Sequence, residues 1–353
     1  MQFDLLHSPE NLRNSEGSFI KLNDGSIMFV YTRYRADDWF DHGSADLCRI
    51  TSKDGETWSS PEVLVANKDQ NVMSVSLLRL QDGRIAMAYL RKSALDLRFG
   101  KEVVDCRPWI TFSADDGKTW SEEVDISGMP SCYHVLNNDR MIQLAGGRLL
   151  LPIGEHRLKR DSIDPRGTVY FFLSDDGGKN WREAADRMAA PGWIASGFRE
   201  PLAVELNDGR IMAYFRTDSG CHWKSCSYDG GEHWSEAQMA PEFKAPDSPL
   251  SIKRDPVSGD LLAVWNDHHP LQSVPYTPQS WHRTPLVIAR SNDEAVSWHG
   301  HQILENSPDH GYCYTAMLFD KDMLYLAYCC GGGDGQVLQD LRVRRLDLKS
   351  CAV

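Results

Sequence analysis

Short apolar runs separated by tight polar turns dominate this chain, and no stretch sustains the three-to-four-residue spacing of an amphipathic helix. One turn recurs. Leu22-Asn23-Asp24-Gly25-Ser26-Ile27 returns as Leu80-Gln81-Asp82-Gly83-Arg84-Ile85, as Leu144-Ala145-Gly146-Gly147-Arg148-Leu149 and as Leu206-Asn207-Asp208-Gly209-Arg210-Ile211. Weaker forms follow at Ser258-Gly259-Asp260-Leu261 and Asp320-Lys321-Asp322-Met323. Asp-Gly between apolar runs predicts a tight hairpin. Leu341-Arg342-Val343-Arg344-Arg345-Leu346 alternates as a further strand would.

A second pattern, S/T-x-D-x-G-x-T-W, interleaves with the first. Its copies end at Trp58, Trp120, Trp181, Trp234 and Trp298, with spacings of 120−58 = 62, 181−120 = 61, 234−181 = 53 and 298−234 = 64 residues. The clearest is Ser113, Asp115, Gly117, Thr119, Trp120. The first copy carries Lys53 at the Asp position, and the fifth carries Ala295 at the Gly position. A carboxylate that accepts from turn amides, a glycine free to take positive φ and a Trp that packs beneath them make a stable hairpin end. The pattern resembles the Asp box of the sialidase superfamily, a folding device of the outer rim, so these aspartates read as structural. A period of this length implies a propeller or an array. Six hairpins and five boxes imply an all-β, six-bladed β-propeller, one domain over residues 1–353. The blade without a box would join the two chain ends, with Leu341–Leu346 as its closing strand.

Composition narrows the classes. The chain has 353 residues, 41% hydrophobic, enough for a core. No run of 18 apolar residues marks a membrane helix, and the start lacks a basic region followed by a long apolar one. Nine cysteines without Cys-x-x-Cys pairs fit reduced thiols and a cytoplasmic protein; a processed secreted chain would read the same way. The formal net charge of −12 argues against nucleic acid and anionic membranes as partners. Histidines lack metal-ligand spacing, so no metal or other cofactor is expected. An acidic sugar would need a local cluster of arginines.

Several arginines fall near inner strands of different repeats: Arg13 before the first, Arg33 after the first hairpin, Arg216 at the equivalent place in the fourth repeat, and Arg283 before Pro285–Arg290. A planar guanidinium fork suits bidentate binding of a carboxylate. With these residues the chain resembles the exo-sialidases over essentially its whole length. The family binds the sugar carboxylate with three arginines, uses an Asp as acid/base and attacks with a Tyr activated by a Glu. Arg13, in Leu12-Arg13-Asn14-Ser15, stands where the family has Phe-Arg-Ile-Pro; the Ile-Pro is missing. Asp41, 58−41 = 17 residues before Trp58, resembles the acid/base. Arg33 resembles the extra pocket arginine. Glu200, in Arg199-Glu200-Pro201, resembles the Tyr partner, and Arg216 and Arg283 the second and third arginines. Gly311-Tyr312-Cys313-Tyr314 resembles the nucleophile segment, which points to Tyr312, with Tyr314 as the alternative register.

Other residues near inner strands stay open between substrate contact and loop structure: Asp105, Arg107, Asn137-Asn138-Asp139-Arg140, Glu155-His156, the pair Trp39-Phe40 beside Asp41, and His42, His134 and His282. The resemblance implies a retaining exo-glycosidase that removes a terminal acidic sugar, most simply a sialic acid, from an acidic glycan or sialoside. Two rivals remain: a propeller glycosidase or lyase for another acidic sugar such as a uronic acid, suggested by the altered segment after Arg13, and a non-catalytic carbohydrate-binding propeller.

Overall fold

A computed structural model describes residues 1–98, 101–128, 132–159, 162–270, 274–333 and 335–349. Nearly all regular structure is antiparallel β-strand. The one helical element among the described residues is a 3-10 turn at Pro278–Ser280, and none is long and apolar enough to cross a membrane.

The strands pair in chain order. Asn14–Lys21, Ile27–Tyr34, Ala45–Ser52 and Glu62–Val65 make a first group. Asn71–Arg79, Ile85–Arg98, Lys101–Ser113 and Val124–Asp125 make a second. In the third, the short strands Tyr133–Val135 and Ile142–Gln143 lie against Leu149–Leu158, which pairs with Ile163–Ser174. Single parallel bridges, Ala45 with Asn71 and Tyr133 with Cys106, run these three groups into one long sheet path. Three separate four-stranded sheets follow. The fourth group spans Arg199–Glu205 to Gln238–Lys244, and the fifth Ser251–Arg254 to His299–Glu305. The last combines Cys313–Asp320, Met323–Cys329 and Leu341–Asp347 with Gln2–Leu5 from the other end of the chain, Phe3 lying opposite Val343.

The recurrent turns sit between the first two strands of each group. Gly25, Gly83, Gly147 and Gly209 hold φ from +85° to +93° there, conformations that a Cβ disfavours. The boxes cap the opposite hairpins. Asp115 Oδ1 accepts from the Thr119 amide at 2.8 Å and from the Ser113 hydroxyl, while Ser113 Oγ accepts from the Gly117 amide. Asp176, Asp229 and Asp293 repeat this arrangement. In the fifth copy Ala295 takes the glycine's place at φ +64°. The first copy corrects the sequence reading. Asp54, next to Lys53, supplies the carboxylate and accepts from the amides of Glu56 and Thr57, because this loop is one residue shorter.

The core lies between groups. Ile20, Val30 and Leu47 of the first group pack on Val72, Met87 and Tyr89 of the second. Further clusters join second to third, third to fourth, fourth to fifth and fifth to last. Another joins last to first, through Phe19, Phe29 and Tyr31 against Cys313, Tyr325 and Val343. Eight cysteines among the described residues are buried and unbridged.

A polar knot ties the first strands of several groups together. Asn138 Nδ2 donates to the carbonyls of Gly17 and Tyr314. Asp139 accepts from Ser18 Oγ, Lys253 Nζ and the Met317 amide. Buried Arg140 donates to the Leu250 carbonyl at 2.7 Å. Three residues of the Asn137–Arg140 segment therefore serve architecture, and Asn137 alone lines the cavity above them.

Candidate active site

Four first strands break register near their beginnings, and each break holds a residue in the left-handed region. Glu16 (φ +48°) lies within the shift between Ser15 and Ser18, Ser74 (φ +58°) between Met73 and Ser76, Glu200 (φ +46°) between Arg199 and Leu202, and Tyr314 (φ +60°) between Cys313 and Ala316. A bulge re-aims the side chain it carries. All four side chains line one cavity, together with Asp41, Lys92, Tyr133 and His134.

Tyr314 donates its hydroxyl to Glu200 Oε1 at 3.0 Å. Arg216 Nη1 donates to the same oxygen at 2.6 Å and lies 3.4 Å from the Tyr314 hydroxyl. Burial would raise the Glu200 carboxyl, but Arg216 outweighs it and holds the group below its usual range. Burial and the Glu200 charge push the Tyr314 phenol well above its ordinary value, against Arg216 and Arg283. The phenol is therefore neutral at rest beside an ionised carboxylate.

Tyr312, the primary nucleophile expectation, does not line this cavity; Tyr314, the alternative register, does. The Tyr312 ring is buried between the fifth and last groups, 6.3 Å from the ring of Tyr328. Burial and Glu305 push its phenol up to about 12. The bulge that turns Tyr314 toward Glu200 begins one residue after Tyr312.

The three expected arginines are all buried and all engaged. Arg13 lies over the Tyr34 ring at 4.6 Å and donates to Asp41 Oδ1 at 2.6 Å and to Ser15 Oγ at 3.0 Å. Arg216 Nε donates to Asp247 Oδ1 at 2.7 Å, and Asp247 also accepts from Arg199. Arg283 donates to Cys313 Sγ at 3.1 Å, and its guanidinium lies 5.6 Å from the ring centres of Tyr314 and Trp281. The buried atoms Arg13 Nε, Arg283 Nε and Glu200 Oε2 have no hydrogen-bond partner among the described residues. Arg33 is not drawn into this set. Strand alternation puts it on the face of Tyr31, whose ring packs between the first and last groups, whereas Tyr34 on the other face lies under Arg13.

Asp41 sits on the loop between Ile27–Tyr34 and Ala45–Ser52. Three carbonyls pin this loop: Asp41 O accepts from Lys92, His42 O from Gln70 and Gly43 O from Asn71. Partial burial would raise the Asp41 carboxyl, but Arg13 and Lys92 hold it well below the usual carboxylate range. Trp39 and Phe40 stack with ring centres 4.2 Å apart, and Phe40 is exposed.

Several remaining candidates are engaged within the protein. Arg107 pairs with Asp105 and Asp125, Glu155 with Arg187, and His156 bonds the Asp164 carbonyl. His134 lines the cavity but bonds Tyr170, and burial keeps it neutral, with its pKa pushed down to about 3. Among the described residues no three His, Cys, Asp or Glu side chains cluster as a metal would need.

Sequence reading missed Glu16, although a signal for it exists. Counted back from the hairpin aspartates, 24−16, 82−74, 208−200 and 322−314 all equal 8, so one register in the repeat marks Glu16, Ser74, Glu200 and Tyr314.

The model of the family described as "BNR repeat-like domain" matches residues 95–326. A sialidase of Bacteroides fragilis is 25% identical over 345 residues, covering 88% of this chain and 58% of that protein. An anhydrosialidase of Macrobdella decora is 31% identical over 132 residues, 35% of this chain and 16% of that protein. The chain thus spans little more than half of the first relative and matches a small part of the second. The solved intramolecular trans-sialidase of Ruminococcus gnavus superposes with a TM-score of 0.74 at 16% identity, over 99% of this chain and 98% of that one; this likeness shows the fold.

Proposed function

Because this chain belongs to the BNR repeat-like family of the sialidase superfamily, we propose that it is a retaining exo-glycosidase releasing a terminal, α-ketosidically linked sialic acid. Its scaffold on this reading is a six-bladed β-propeller, supported by the cyclic order in which the strand groups pack. The observation that carries the proposal is the contact of Tyr314 with Glu200 and Arg216 inside the cavity.

A 2-keto sugar acid carries a carboxylate on its anomeric carbon, which repels a carboxylate nucleophile. A neutral phenol approaches without that penalty, and sialidases are known for a Tyr in this role. Glu200 takes the Tyr314 proton as the carbon–oxygen bond forms, because a phenol is a weak nucleophile at neutral pH without a base. Arg216, 3.4 Å from the phenolic oxygen, stabilises the charge that develops on it. Arg13, Arg216 and Arg283 hold the sugar carboxylate. When that carboxylate takes over Arg13, Asp41 loses the partner that keeps its pKa low. It then holds the proton for the leaving oxygen and later activates water. Trp39 and Phe40, next to Asp41, sit on the leaving-group side.

Hydrolysis of 4-methylumbelliferyl sialoside, set against the corresponding glucuronide, tests this reading. Fluorescence from the sialoside alone supports it; turnover of the glucuronide alone overturns it in favour of a uronic-acid enzyme. The likeness to the leech anhydrosialidase favours a second reading, in which the sugar's own hydroxyl rather than water resolves the intermediate. Mass analysis separates the two, since an anhydro sugar is lighter than the free acid by one water.

A further inference from the structure

Two carboxylates share the guanidinium of Arg13. Its Nη1 donates to Asp41 Oδ1 at 2.6 Å, and its Nη2 lies 3.4 Å from Glu16 Oε1. One positive charge therefore faces two negative ones. A third carboxylate, that of an acidic sugar, gains no net attraction there until a negative charge is removed.

The two carboxylates differ in how that can happen. The Asp41 side chain is 56% exposed and can turn into solvent. Glu16 is 5% exposed and fixed on its bulge, with Oε2 accepting from the Ser74 hydroxyl. Held on the cavity wall by Ser74 and Arg13, it cannot turn out to bulk solvent as Asp41 can, so protonation is how its charge is removed. We propose that Glu16 takes up a proton when an acidic sugar binds and, as a neutral acid, joins Arg13 in recognising the sugar carboxylate. This rests on the sialidase-like reading of the cavity and adds to it a residue that ties affinity to pH.

The surroundings of Glu16 suit this role. Arg13 faces it from its own segment, Tyr34 from the neighbouring strand and Asp41 from the loop; across the cavity lie Glu200, Tyr314 and Lys92. Burial raises the Glu16 carboxyl most, Arg13 lowers it, and Asp41 and Glu200 raise it further, to about 7. The charged form therefore predominates above neutrality, and an acidic ligand must supply the free energy to neutralise it.

Calorimetric titration with 2-deoxy-2,3-dehydro-N-acetylneuraminic acid, in buffers of different ionisation enthalpy from pH 6 to 9, reads the proton directly. The expected result is net uptake approaching about one proton per site above pH 8, with affinity falling about tenfold per pH unit there. Above pH 8 Glu16→Gln lowers the uptake by about one proton per site, leaving only the share Asp41 takes once the ligand displaces it from Arg13, and it binds more tightly than the parent at pH 9. Ser74→Ala removes a hydroxyl that favours the charged form, so it moves the inflection to higher pH; it supplies the test if Glu16→Gln does not fold. Binding without proton uptake, or uptake undiminished in Glu16→Gln, overturns the proposal while leaving the sialidase reading in place. No binding at any pH overturns that reading, and this one with it.

Discussion

The hydroxyl of Tyr314 lies 3.0 Å from Oε1 of Glu200, two residues that are 114 apart in the chain and meet because each sits on a bulge at the same register of its own strand group. On the proposed reading, phenol, carboxylate and the Arg216 guanidinium serve as nucleophile, base and counter-charge.

Tyr314→Phe removes the proposed nucleophilic oxygen and keeps the ring. Turnover of an aryl sialoside is expected to fall by roughly three orders of magnitude or more, with affinity for a carboxylate inhibitor largely retained because the arginines remain. Tyr312→Phe is the control. It alters a buried contact between strand groups, so the thermal midpoint falls while kcat of the folded protein stays near the parent value. Steady-state kinetics on both variants decide between the two tyrosines.

Asp41→Ala separates acid catalysis from nucleophilic attack. An aryl leaving group departs with little protonation, whereas a sugar hydroxyl requires it. The variant should lose roughly 100-fold more activity on sialyllactose than on an aryl sialoside. Equal losses on both substrates would mean that Asp41 does not protonate the leaving oxygen.

Stability should carry the signature of Glu16. Its pKa stands at about 7 in the fold against 4.5 for a free side chain. A carboxyl whose folded pKa is raised contributes stability that is fully present below its unfolded pKa and is lost as pH rises through its folded pKa. Between pH 4.5 and 7 the parent therefore loses stability that Glu16→Gln does not. The gap in denaturant-derived unfolding free energy between the two proteins should change by about 3 kcal/mol across that window. A constant gap contradicts the assignment.

Two glycines test the box architecture apart from the chemistry. Gly178 in the third box holds φ +91°, and a Cβ there would meet the Phe112 ring at 2.2 Å. Gly83 in a hairpin turn holds φ +88° with nothing within 4 Å. Gly83→Ala should cost about 1–2 kcal/mol from backbone strain alone, and Gly178→Ala roughly 1–3 kcal/mol more from the clash. Chemical denaturation measures both, and the folded fraction of each variant should retain parent kcat.

Much of this was legible in the residues because turns are local. Asp-Gly pairs and box motifs draw on neighbouring amides, so the hairpins at Asp24, Asp82 and Asp208 and the caps at Asp115, Asp176 and Asp229 could be located without knowing what they pack against. The Asp54 cap was missed because a one-residue shortening moves the carboxylate without altering the Trp. Arg13, Asp41, Glu200 and Arg216 were named by resemblance; in the fold Arg13 donates to Asp41, and Arg216 donates to Glu200. The choice between Tyr312 and Tyr314 depended on a bulge, a tertiary feature that reverses strand alternation and leaves no mark in hydrophobic pattern. The constant distance of eight residues to the hairpin Asp carried that information. Arg33 failed to join the site for the complementary reason: on an unbulged strand, alternation holds and turns it away.

The central claim is that Tyr314 attacks the anomeric carbon, and covalent capture tests it most directly. A 3-fluorosialosyl fluoride forms the glycosyl-enzyme quickly and releases it slowly, so peptide mass spectrometry locates the attached sugar. One modification is expected, on Tyr314, absent from Tyr314→Phe and unchanged in Tyr312→Phe. A label on Tyr312, or on no tyrosine in a protein that still turns over the sialoside, would contradict it.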